Sequence, residues 1–453
     1  MSHISGYPTD SRQIPYDQGA PPRGAARSPS PGGGRPRRSA TRRRLVSTVA
    51  AVLAPVLVIS SACATGNDQD AAMPEAADRA YPEVKSAALT VDGTGRSVCS
   101  FWYGIGNSPT DSEMRANHDV VVFNAWETER MRELKAADPG VVALVYKDLS
   151  STRSYSGAFD AGRDADKIPT GLGFARTEAE NPEWFARDSS GRRIEWDPFP
   201  QHWQMTVWDK KYQRAWADAV VAEVTSEGWD GVLADNALTT LSYYSDAVLE
   251  GTSSRAQTDE RIRTGVDELV TLAGEALNDS GKLLVPNIPD SRKFDGLWHS
   301  HSLYGGGMEE YFARPADDGS LLTFNGDQWD ELLSSAMAGD RWLLLITNEP
   351  GEREQQSGFA AAALLAGPRT CWMATGDPSY QSFPANPWLD AGLGQPVETP
   401  GRSGDGVWTR SFTGGWVALN PTGRTAPVVV PEEFRDRVDD DRLDPGESLV
   451  VIR

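Results

Sequence analysis

The sequence predicts an α/β fold, a (β/α)₈ barrel with a small antiparallel β domain at its C-terminus. Eight short apolar runs alternate with polar loops and helical segments over roughly 280 residues, a common length for such a barrel. After residue 395 the pattern changes to alternating apolar and polar residues with Gly and Pro turns, which is typical of antiparallel strands. An open doubly wound sheet is the alternative. The absence of a glycine-rich phosphate-binding turn after the first strand disfavours it.

The start of the chain has no core-forming pattern. Residues 1–44 are rich in Pro, Gly, Ser and Arg, which predicts a disordered basic region. Residues 45–64 are apolar and uncharged and follow the basic stretch RRSATRRR, so they predict an export signal or a membrane anchor. Cys63 follows two small residues, as at the end of a bacterial lipoprotein signal, which predicts lipidation. Ser60 stands where Leu is usual, so cleavage after Ala64 and retention of the segment stay open.

The charge of the chain is unevenly distributed. Its net charge is −20, yet residues 1–62 hold nine Arg and two Asp, so the remainder has 35 basic and 62 acidic side chains. This acidic part disfavours nucleic acid or anionic membrane as a partner. We expect residues 65–95 to be a linker, and membrane contact only through the N-terminal segment or its lipid. The expected location is extracellular or at the cell surface, and the expected state is a monomer.

The eight apolar runs each predict a buried parallel strand. They span residues 100–106, 118–127, 141–148, 229–235, 282–288, 305–312, 341–348 and 369–376. Helices are predicted over residues 209–228 and 259–281, the second with apolar residues at helical spacing and Gly281 as its C-cap. The barrel is therefore predicted over residues 96–395 and the β domain over residues 396–453.

Polar residues recur where the predicted strands stop. The run WDGVLAD ends on Asp235 and is followed by Asn236, and in a barrel of this kind functional groups lie at the carboxyl ends of the strands. A turn is the structural alternative, since Asp and Asn are common turn residues. The candidate substrate-binding residues at these ends are Tyr103, Asn124, Trp126, Glu127, Lys147, Asn236, Asn287 and Asn348.

The doubled carboxylate Glu309–Glu310 follows the sixth run. Glu favours neither turns nor strands, so the pair predicts a site, with a solvated surface pair as the alternative. Two carboxylates in one cleft, here Asp235 and one of the two Glu, are what glycoside hydrolysis requires. Only five His are present, and the chain has no metal-ligand spacing, dinucleotide fingerprint or P-loop. We therefore expect no metal and no cofactor.

The segment between the third and fourth runs is crowded with aromatic residues. Trp196, His202 and Trp203 are the candidates for sugar binding there, because aromatic rings offer flat apolar faces to the C–H groups of sugars. Core filling is the alternative, and it is the expectation for Trp208 and Trp216 at helix positions.

The stretch GWDGVLADNA resembles a strand of the hypothetical glycosyl hydrolase family numbered fifteen, whose relatives include endo-α-1,4-polygalactosaminidase-type and α-galactosidase-like barrels. The segments FNAWE, HWQMTVWDKKYQRAW, GGMEEYF and LLLITN are similar in order, so the resemblance spans roughly residues 97–375. The tail segment GGWVALNPT is also similar. The resemblance implies Asp235 as nucleophile, Glu310 as acid/base with Glu309 as the alternative, and a retaining mechanism.

These observations predict an exported glycoside hydrolase that cleaves a poly- or oligosaccharide. The alternatives are a cell-surface barrel that binds glycans without cleaving them, and a transglycosidase. The resemblance does not name the sugar.

Two cysteines remain beyond the signal segment. Cys99 lies at the start of the first strand and Cys371 within the last, and these strands are neighbours in a closed barrel. We expect a disulfide that locks this seam. Two buried thiols are the alternative.

Overall fold

A computed structural model describes residues 96–105, 118–376, 380 and 387–453. The predicted basic region, signal or anchor segment, lipidated Cys63 and linker lie outside the described residues.

Eight parallel strands form one sheet. Each coincides with one of the predicted apolar runs. They are β1 (Cys99–Tyr103), β2 (Val120–Phe123), β3 (Val142–Asp148), β4 (Gly231–Asp235), β5 (Leu283–Pro286), β6 (Gly306–Glu309), β7 (Trp342–Asn348) and β8 (Thr370–Thr375).

The sheet curves into a nearly closed barrel. Its hydrogen-bonded order is β5-β4-β3-β2-β1-β8-β7-β6. Parallel bridges between Leu284 and Gly305 and between Asn287 and Met308 bring β6 back beside β5. The predicted barrel with a C-terminal β domain is therefore confirmed.

The β1–β8 seam carries a disulfide. Cys99 and Cys371 are paired in register across the two parallel strands, with 4.3 Å between their Cα atoms, and their sulfur atoms are bonded. The bond links positions 272 residues apart, so it connects the two ends of the barrel chain directly.

The helices connect successive strands on the outside of the sheet. The α-helices within the described residues are α1 (Thr128–Ala137), α2 (Phe174–Glu180), α3 (Lys210–Glu227), α4 (Arg255–Asp279), α5 (Leu297–His301), α6 (Gln328–Ala338) and α7 (Glu352–Leu364). Short 3₁₀ helices are Ala125–Glu127, Pro182–Trp184, Leu241–Tyr243, Pro289–Arg292, Ser302–Tyr304, Leu322–Phe324 and Glu432–Arg437. The two predicted helices correspond to α3 and α4.

Local sequence explains the ends of these two helices. The Asp209 carboxylate accepts hydrogen bonds from the backbone N–H groups of Lys211 and Tyr212, as an N-cap does for α3. Gly228 ends α3 with a φ of 87°, and Gly281, at 70°, follows the last turn of α4. These glycines adopt the left-handed conformation that stops a helix without steric cost.

Side chains alternate between the inside and the outside of the barrel. The interior core contains Phe101, Val122, Leu144, Leu233 and Met308, while their neighbours along each strand pack outward against the helices. Because strand side chains repeat every two residues, a residue two positions beyond an interior residue also faces inward. This alternation decides which side chains at the strand ends meet.

The segment between β3 and β4 contains two small sheets rather than a simple loop. Strands Ser151–Arg153, Phe199–Gln204 and Glu195–Trp196 form an antiparallel three-stranded sheet, and Phe159–Asp160 pairs with Arg163–Asp164. Phe185, Trp196 and Phe199 belong to the same apolar core as α3 and α4. Part of the aromatic richness of this segment is therefore core packing.

The C-terminal domain has its own antiparallel sheets. The larger has the order Gly401–Arg402, Trp408–Phe412, Gly415–Leu419, Ser448–Ile452, and a smaller one pairs Ala426–Pro427 with Arg442–Leu443.

This domain shares packing with the barrel. Trp408, Phe412 and Val417 lie in one apolar core with Phe359 of α7. The buried Arg410 guanidinium donates to the carbonyls at the carboxyl end of α7, those of Ala363, Leu364 and Ala366. A cation is favourable at that end of a helix.

Across the described residues, no helix combines the length and the apolar character that crossing a bilayer requires.

Candidate active site

Asp235 ends β4 and points into the barrel, two positions after the interior residue Leu233. Its side chain is 1% exposed. Oδ2 accepts a hydrogen bond from the Tyr146 hydroxyl at 2.7 Å, and Oδ1 accepts from the Asn236 backbone N–H at 2.8 Å and from Asn287 Nδ2 at 3.1 Å. Donors on three residues therefore hold this carboxylate in one orientation.

Asn287 joins Asp235 to Glu310. Its Nδ2 also donates to Glu310 Oε2 at 2.8 Å. The sum of the two distances from this nitrogen, 5.9 Å, is the upper limit for the separation of Asp235 Oδ1 from Glu310 Oε2. The ends of β4, β5 and β6 thus bring two carboxyl groups and one amide together at the carboxyl edge of the barrel.

The second oxygen of Glu310 faces a tyrosine that lies beyond β8. Tyr380 donates to Glu310 Oε1 at 2.8 Å, and Asn348 Nδ2, at the end of β7, donates to the Tyr380 hydroxyl at 3.2 Å. The ring of Tyr103, at the end of β1, meets the Tyr380 ring edge to face, with 4.9 Å between centroids. Groups at the ends of β1 and β7 therefore position the tyrosine that bonds to Glu310.

A charged network supports the Asp235 side. Arg153 Nη2 donates to the Tyr146 hydroxyl at 2.9 Å and to Asp148 Oδ2 at 3.1 Å. Asp148 also accepts from Asn236 Nδ2 at 2.9 Å. Both Tyr146 and Asp148 are at the carboxyl end of β3, so this network positions the groups that surround Asp235.

Asn236 has an unusual backbone. Its φ is 58°, in the left-handed region that residues other than glycine seldom adopt. The Tyr244 hydroxyl donates to its Oδ1 at 2.6 Å, and the Ser150 hydroxyl donates to its carbonyl at 2.7 Å. Its side chain is engaged by protein partners, so its contribution is to hold the turn that follows Asp235.

Burial changes the protonation of both carboxyls. Burial, with a further contribution from the negative charge of Asp235, raises the pKa of Glu310 to about 7. Burial also raises the pKa of Asp235, and Asp148 adds to this, while the hydrogen bonds from Tyr146, Asn287 and Asn236 oppose it. Two acids this close share protons, so the pair holds one proton over a range of pH.

Glu309 faces the opposite side of β6. Its Oε1 accepts from the Tyr311 backbone N–H at 3.1 Å, and its Oε2 accepts from Gln328 Nε2 on α6. Burial raises its pKa to about 7. Glu309 therefore lies between the sheet and the helices, and the structure does not bring it to Asp235.

The structure corrects two of the predicted substrate contacts. Lys147 is fully buried and points outward, where Nζ donates to Glu223 of α3 and to the Ile168 carbonyl, both at 2.7 Å. Glu127 accepts from the backbone and side-chain nitrogens of Asn124, at 2.9 and 3.0 Å. Lys147 thus forms an internal ion pair, and Glu127 fixes the turn after β2 with Asn124 as its partner.

The predicted aromatic residues differ in how far their rings are exposed. Trp196 is buried and stacks on Tyr244, with 4.0 Å between ring centroids, and on His202 at 5.8 Å. Burial lowers the pKa of His202 to about 3. Trp203 is half-buried and donates to Ser154 at 2.8 Å. Trp126, in the turn after β2, is 57% exposed, so it is the predicted aromatic residue whose ring is open to a ligand.

Three members of this cluster were not predicted from the sequence: Tyr146, Arg153 and Tyr380. Tyr146 could have been found from strand alternation, because it follows Leu144 by two residues on the interior face. Arg153 lies in an inserted strand and Tyr380 beyond β8, and nothing in their local sequence signals the contact. No cluster of three or more His, Cys, Asp or Glu side chains that could hold a metal ion occurs in the part of the chain that the structure describes.

The fold defines a broad class, an α/β barrel protein with its polar cluster at the carboxyl edge of the sheet. A model of hypothetical glycosyl hydrolase family 15 matches residues 135–416, which is more than half of the chain. The chain therefore belongs to this family, as the sequence motifs predicted, and the membership supports a carbohydrate-active function. No curated protein matches the chain.

Several solved structures are similar at low identity. The glycoside hydrolase domain of PelA from Pseudomonas aeruginosa is 17% identical, over 63% of this chain and 97% of that one, with a TM-score of 0.38. A cycloalternan-degrading enzyme from Trueperella pyogenes is 14% identical, over 62% of this chain and 42% of that one, with a TM-score of 0.36. A cycloalternan-forming enzyme from Listeria monocytogenes is 9% identical, over 79% and 40%, with a TM-score of 0.43.

Proposed function

We propose that the protein is a glycoside hydrolase in which Asp235 is the nucleophile and Glu310 the general acid and base. The observation that carries this proposal is the single Asn287 amide nitrogen that contacts both carboxyl groups, which limits the separation of two of their oxygens to 5.9 Å. Retaining enzymes hold their carboxyl groups about 5–5.5 Å apart, and inverting enzymes about 6.5–9.5 Å. The short separation supports a retaining mechanism.

The hydrogen bonds support this division of roles. Asp235 accepts from donors on three residues, and the Tyr146 hydroxyl among them accepts from the Arg153 cation, which makes it a stronger donor. Glu310 accepts from two donors, and its Tyr380 partner accepts from the neutral Asn348 amide. The shared charge is therefore more stable on Asp235, and the proton on Glu310.

The two groups would then act in sequence on one glycosidic bond. Asp235 attacks the anomeric carbon while Glu310 gives its proton to the departing oxygen, so that the C–O bond breaks and a glycosyl ester forms. Glu310, now ionised, takes a proton from a water molecule that attacks the same carbon. This releases the sugar and restores both carboxyl groups. The exposed ring of Trp126 at the same edge is suited to stack on a sugar beyond the scissile bond.

The location of the protein is part of this proposal. The apolar segment at residues 45–64 after a basic stretch supports export, with Cys63 as the site of a lipid anchor. A polysaccharide at or outside the cell surface is then the substrate, and a monomer suffices because both carboxyl groups come from one chain.

The direct experiment incubates the protein with a panel of bacterial surface polysaccharides and measures new reducing ends. Asp235→Asn is the matched control, because the amide has the same shape but cannot attack the anomeric carbon. We expect reducing ends with the wild type and a loss of at least about a hundredfold in the variant. Binding without cleavage would indicate a glycan-binding barrel instead, and longer products without new reducing ends would indicate a transglycosidase.

A further inference from the structure

The side-chain amide of Asn287 uses its nitrogen, but not its oxygen, in hydrogen bonds to the described residues. Its Nδ2 donates one hydrogen to Asp235 and the other to Glu310. This orientation follows from chemistry, since an ionised carboxylate accepts only and the reverse placement would set the amide oxygen against two acceptors. Its Oδ1 is buried and has no hydrogen-bond partner in the part of the chain that the structure describes.

The amide restricts where the shared proton can be. Asp235 Oδ1 and Glu310 Oε2 each accept from an N–H that cannot accept in return, so a proton on either oxygen would find no acceptor on the Asn287 nitrogen. Glu310 Oε1 instead faces the Tyr380 hydroxyl, which is able to accept as well as donate. Asp235 Oδ2 also faces a hydroxyl, that of Tyr146, but the Arg153 cation that donates to this hydroxyl favours the ionised carboxylate. The proton of the pair is thereby favoured on Glu310 Oε1, with the Tyr380 hydroxyl turned to accept it.

We propose that Asn287 is a positioning residue that fixes the site of this proton, and that its free Oδ1 accepts a hydrogen bond from a hydroxyl or amine of the sugar held between the two carboxyl groups. The proposal rests on the proposed function, and it deepens that function in two ways. It names the oxygen that delivers the proton, and it states that the substrate has a hydrogen-bond donor next to the scissile bond.

Burial gives the open Oδ1 its selectivity. A buried acceptor that stays unpaired in the complex costs the full desolvation of that group. A site built in this way rejects an analogue that lacks the matching donor much more strongly than an apolar pocket rejects a missing methylene group. Asn287 would therefore discriminate between sugars that differ by a single hydroxyl.

Other titratable groups surround the pair and must be considered in any pH experiment. On the Asp235 side these are Tyr146 and Asp148 of β3 and the Arg153 cation. On the Glu310 side they are Tyr380 and, across the strand, Glu309. Asn287 has no charge of its own, so its removal changes hydrogen bonding without adding or deleting a titrating group.

The first arm of the test needs no substrate. The carboxyl carbons of Asp235 and Glu310 are titrated by NMR in the wild type and in Asn287→Ala. An N–H donor favours the ionised form, so the variant should raise the pKa of both groups, by about one unit each. Gln328→Leu is the matched control, because it removes a similar amide donor from Glu309 on the outer face of β6 and should leave Asp235 and Glu310 unchanged.

The second arm uses an aryl glycoside that the wild type cleaves, together with its monodeoxy analogues. In Asn287→Ala both limbs of the pH–rate profile should move to higher pH, and the discrimination by wild type against one deoxy analogue, at least about tenfold, should disappear. Unmoved pKa values in the first arm would overturn the positioning role even where hydrolysis is established. Undiminished discrimination would overturn the role of Oδ1, and absence of all hydrolysis would count against the proposed function alone.

Discussion

The two faces of β6 at its carboxyl end present the same chemical group in two settings. Glu309 and Glu310 are adjacent, each is 1% exposed, and burial raises the pKa of each to about 7. Glu310 meets groups that arrive from β4, β5 and the segment after β8, whereas Glu309 meets Gln328 of α6 and the backbone N–H of Tyr311. Burial and a raised pKa therefore do not distinguish the two. Convergence of polar groups from several strands does.

Separate replacement of the two glutamates should give the largest difference in activity. Glu310→Gln should slow cleavage of substrates with poor leaving groups by about a hundredfold or more, and that of activated aryl glycosides much less, since the latter need little protonation. Glu309→Gln, made in the same way, should change both rates by less than about threefold. Cleavage rates of both variants, measured on one substrate with a poor leaving group and one activated aryl glycoside, show which glutamate donates the proton.

The opposite pattern, with selective loss in Glu309→Gln and none in Glu310→Gln, would reverse the assignment. That result would require the Glu309 side chain to turn from the helix layer into the barrel. A structure of Glu310→Gln would show this change.

The pH dependence of the rate gives the next effect. In the proposed mechanism Glu310 must hold its proton to act as an acid. Its pKa is raised to about 7, so cleavage should decrease about tenfold per pH unit above that value. The carboxyl of Glu309 has a similar pKa but takes no part, so Glu309→Gln should show the same descending limb. A limb that disappears in Glu309→Gln would mean that the outer carboxyl controls the rate.

Stability provides a third comparison. The pKa of Glu309 rises from its ordinary value of 4.5 to about 7 on folding, so the folded state binds this proton more tightly. The resulting stability is complete below pH 4.5 and is lost as the pH rises through about 7. Glu309→Gln has no carboxyl to ionise, so it should gain about 1–3 kcal/mol relative to wild type between pH 5 and pH 8. Thermal unfolding at both pH values measures this gain.

The smallest effect concerns Trp126, whose ring is exposed at the same edge as Glu310. Trp126→Ala should raise KM by about three- to tenfold, as expected for the loss of one aromatic stacking contact, and leave kcat and the melting temperature nearly unchanged. Trp126→Phe should restore most of the binding. A loss of kcat instead would place Trp126 closer to the reacting bond than its exposure indicates.

Strand positions could be read from the sequence because each barrel strand is a short apolar run, and the order of runs and helices leaves few alternatives. Asp235 and Glu310 could be predicted as site candidates because carboxylates end such runs, and the structure brings these two side chains together. Alternation along β6 would even have favoured Glu310, since Met308 is an apolar residue of the interior face.

Other predicted site residues are held by internal contacts, and this too has a physical cause. Lys147 and Glu127 also stand at strand ends, but the first points outward to Glu223 and the second bonds to its own turn. Trp196 and His202 stack on each other in a folded insertion. Which face a side chain takes depends on packing partners that are distant in sequence. The contacts of Arg153 and Tyr380 depend on the same long-range geometry.

The contact of Arg410 with α7 bears on how this chain could be divided or recombined. A truncation after residue 395 would leave the carbonyls of Ala363, Leu364 and Ala366 without their cation, and would uncover the apolar surface around Phe359. The β domain is therefore not an interchangeable module. An exchange of parts between homologous proteins would have to transfer α7 together with the β domain, and the smallest soluble fragment for expression should run from residue 96 to residue 453.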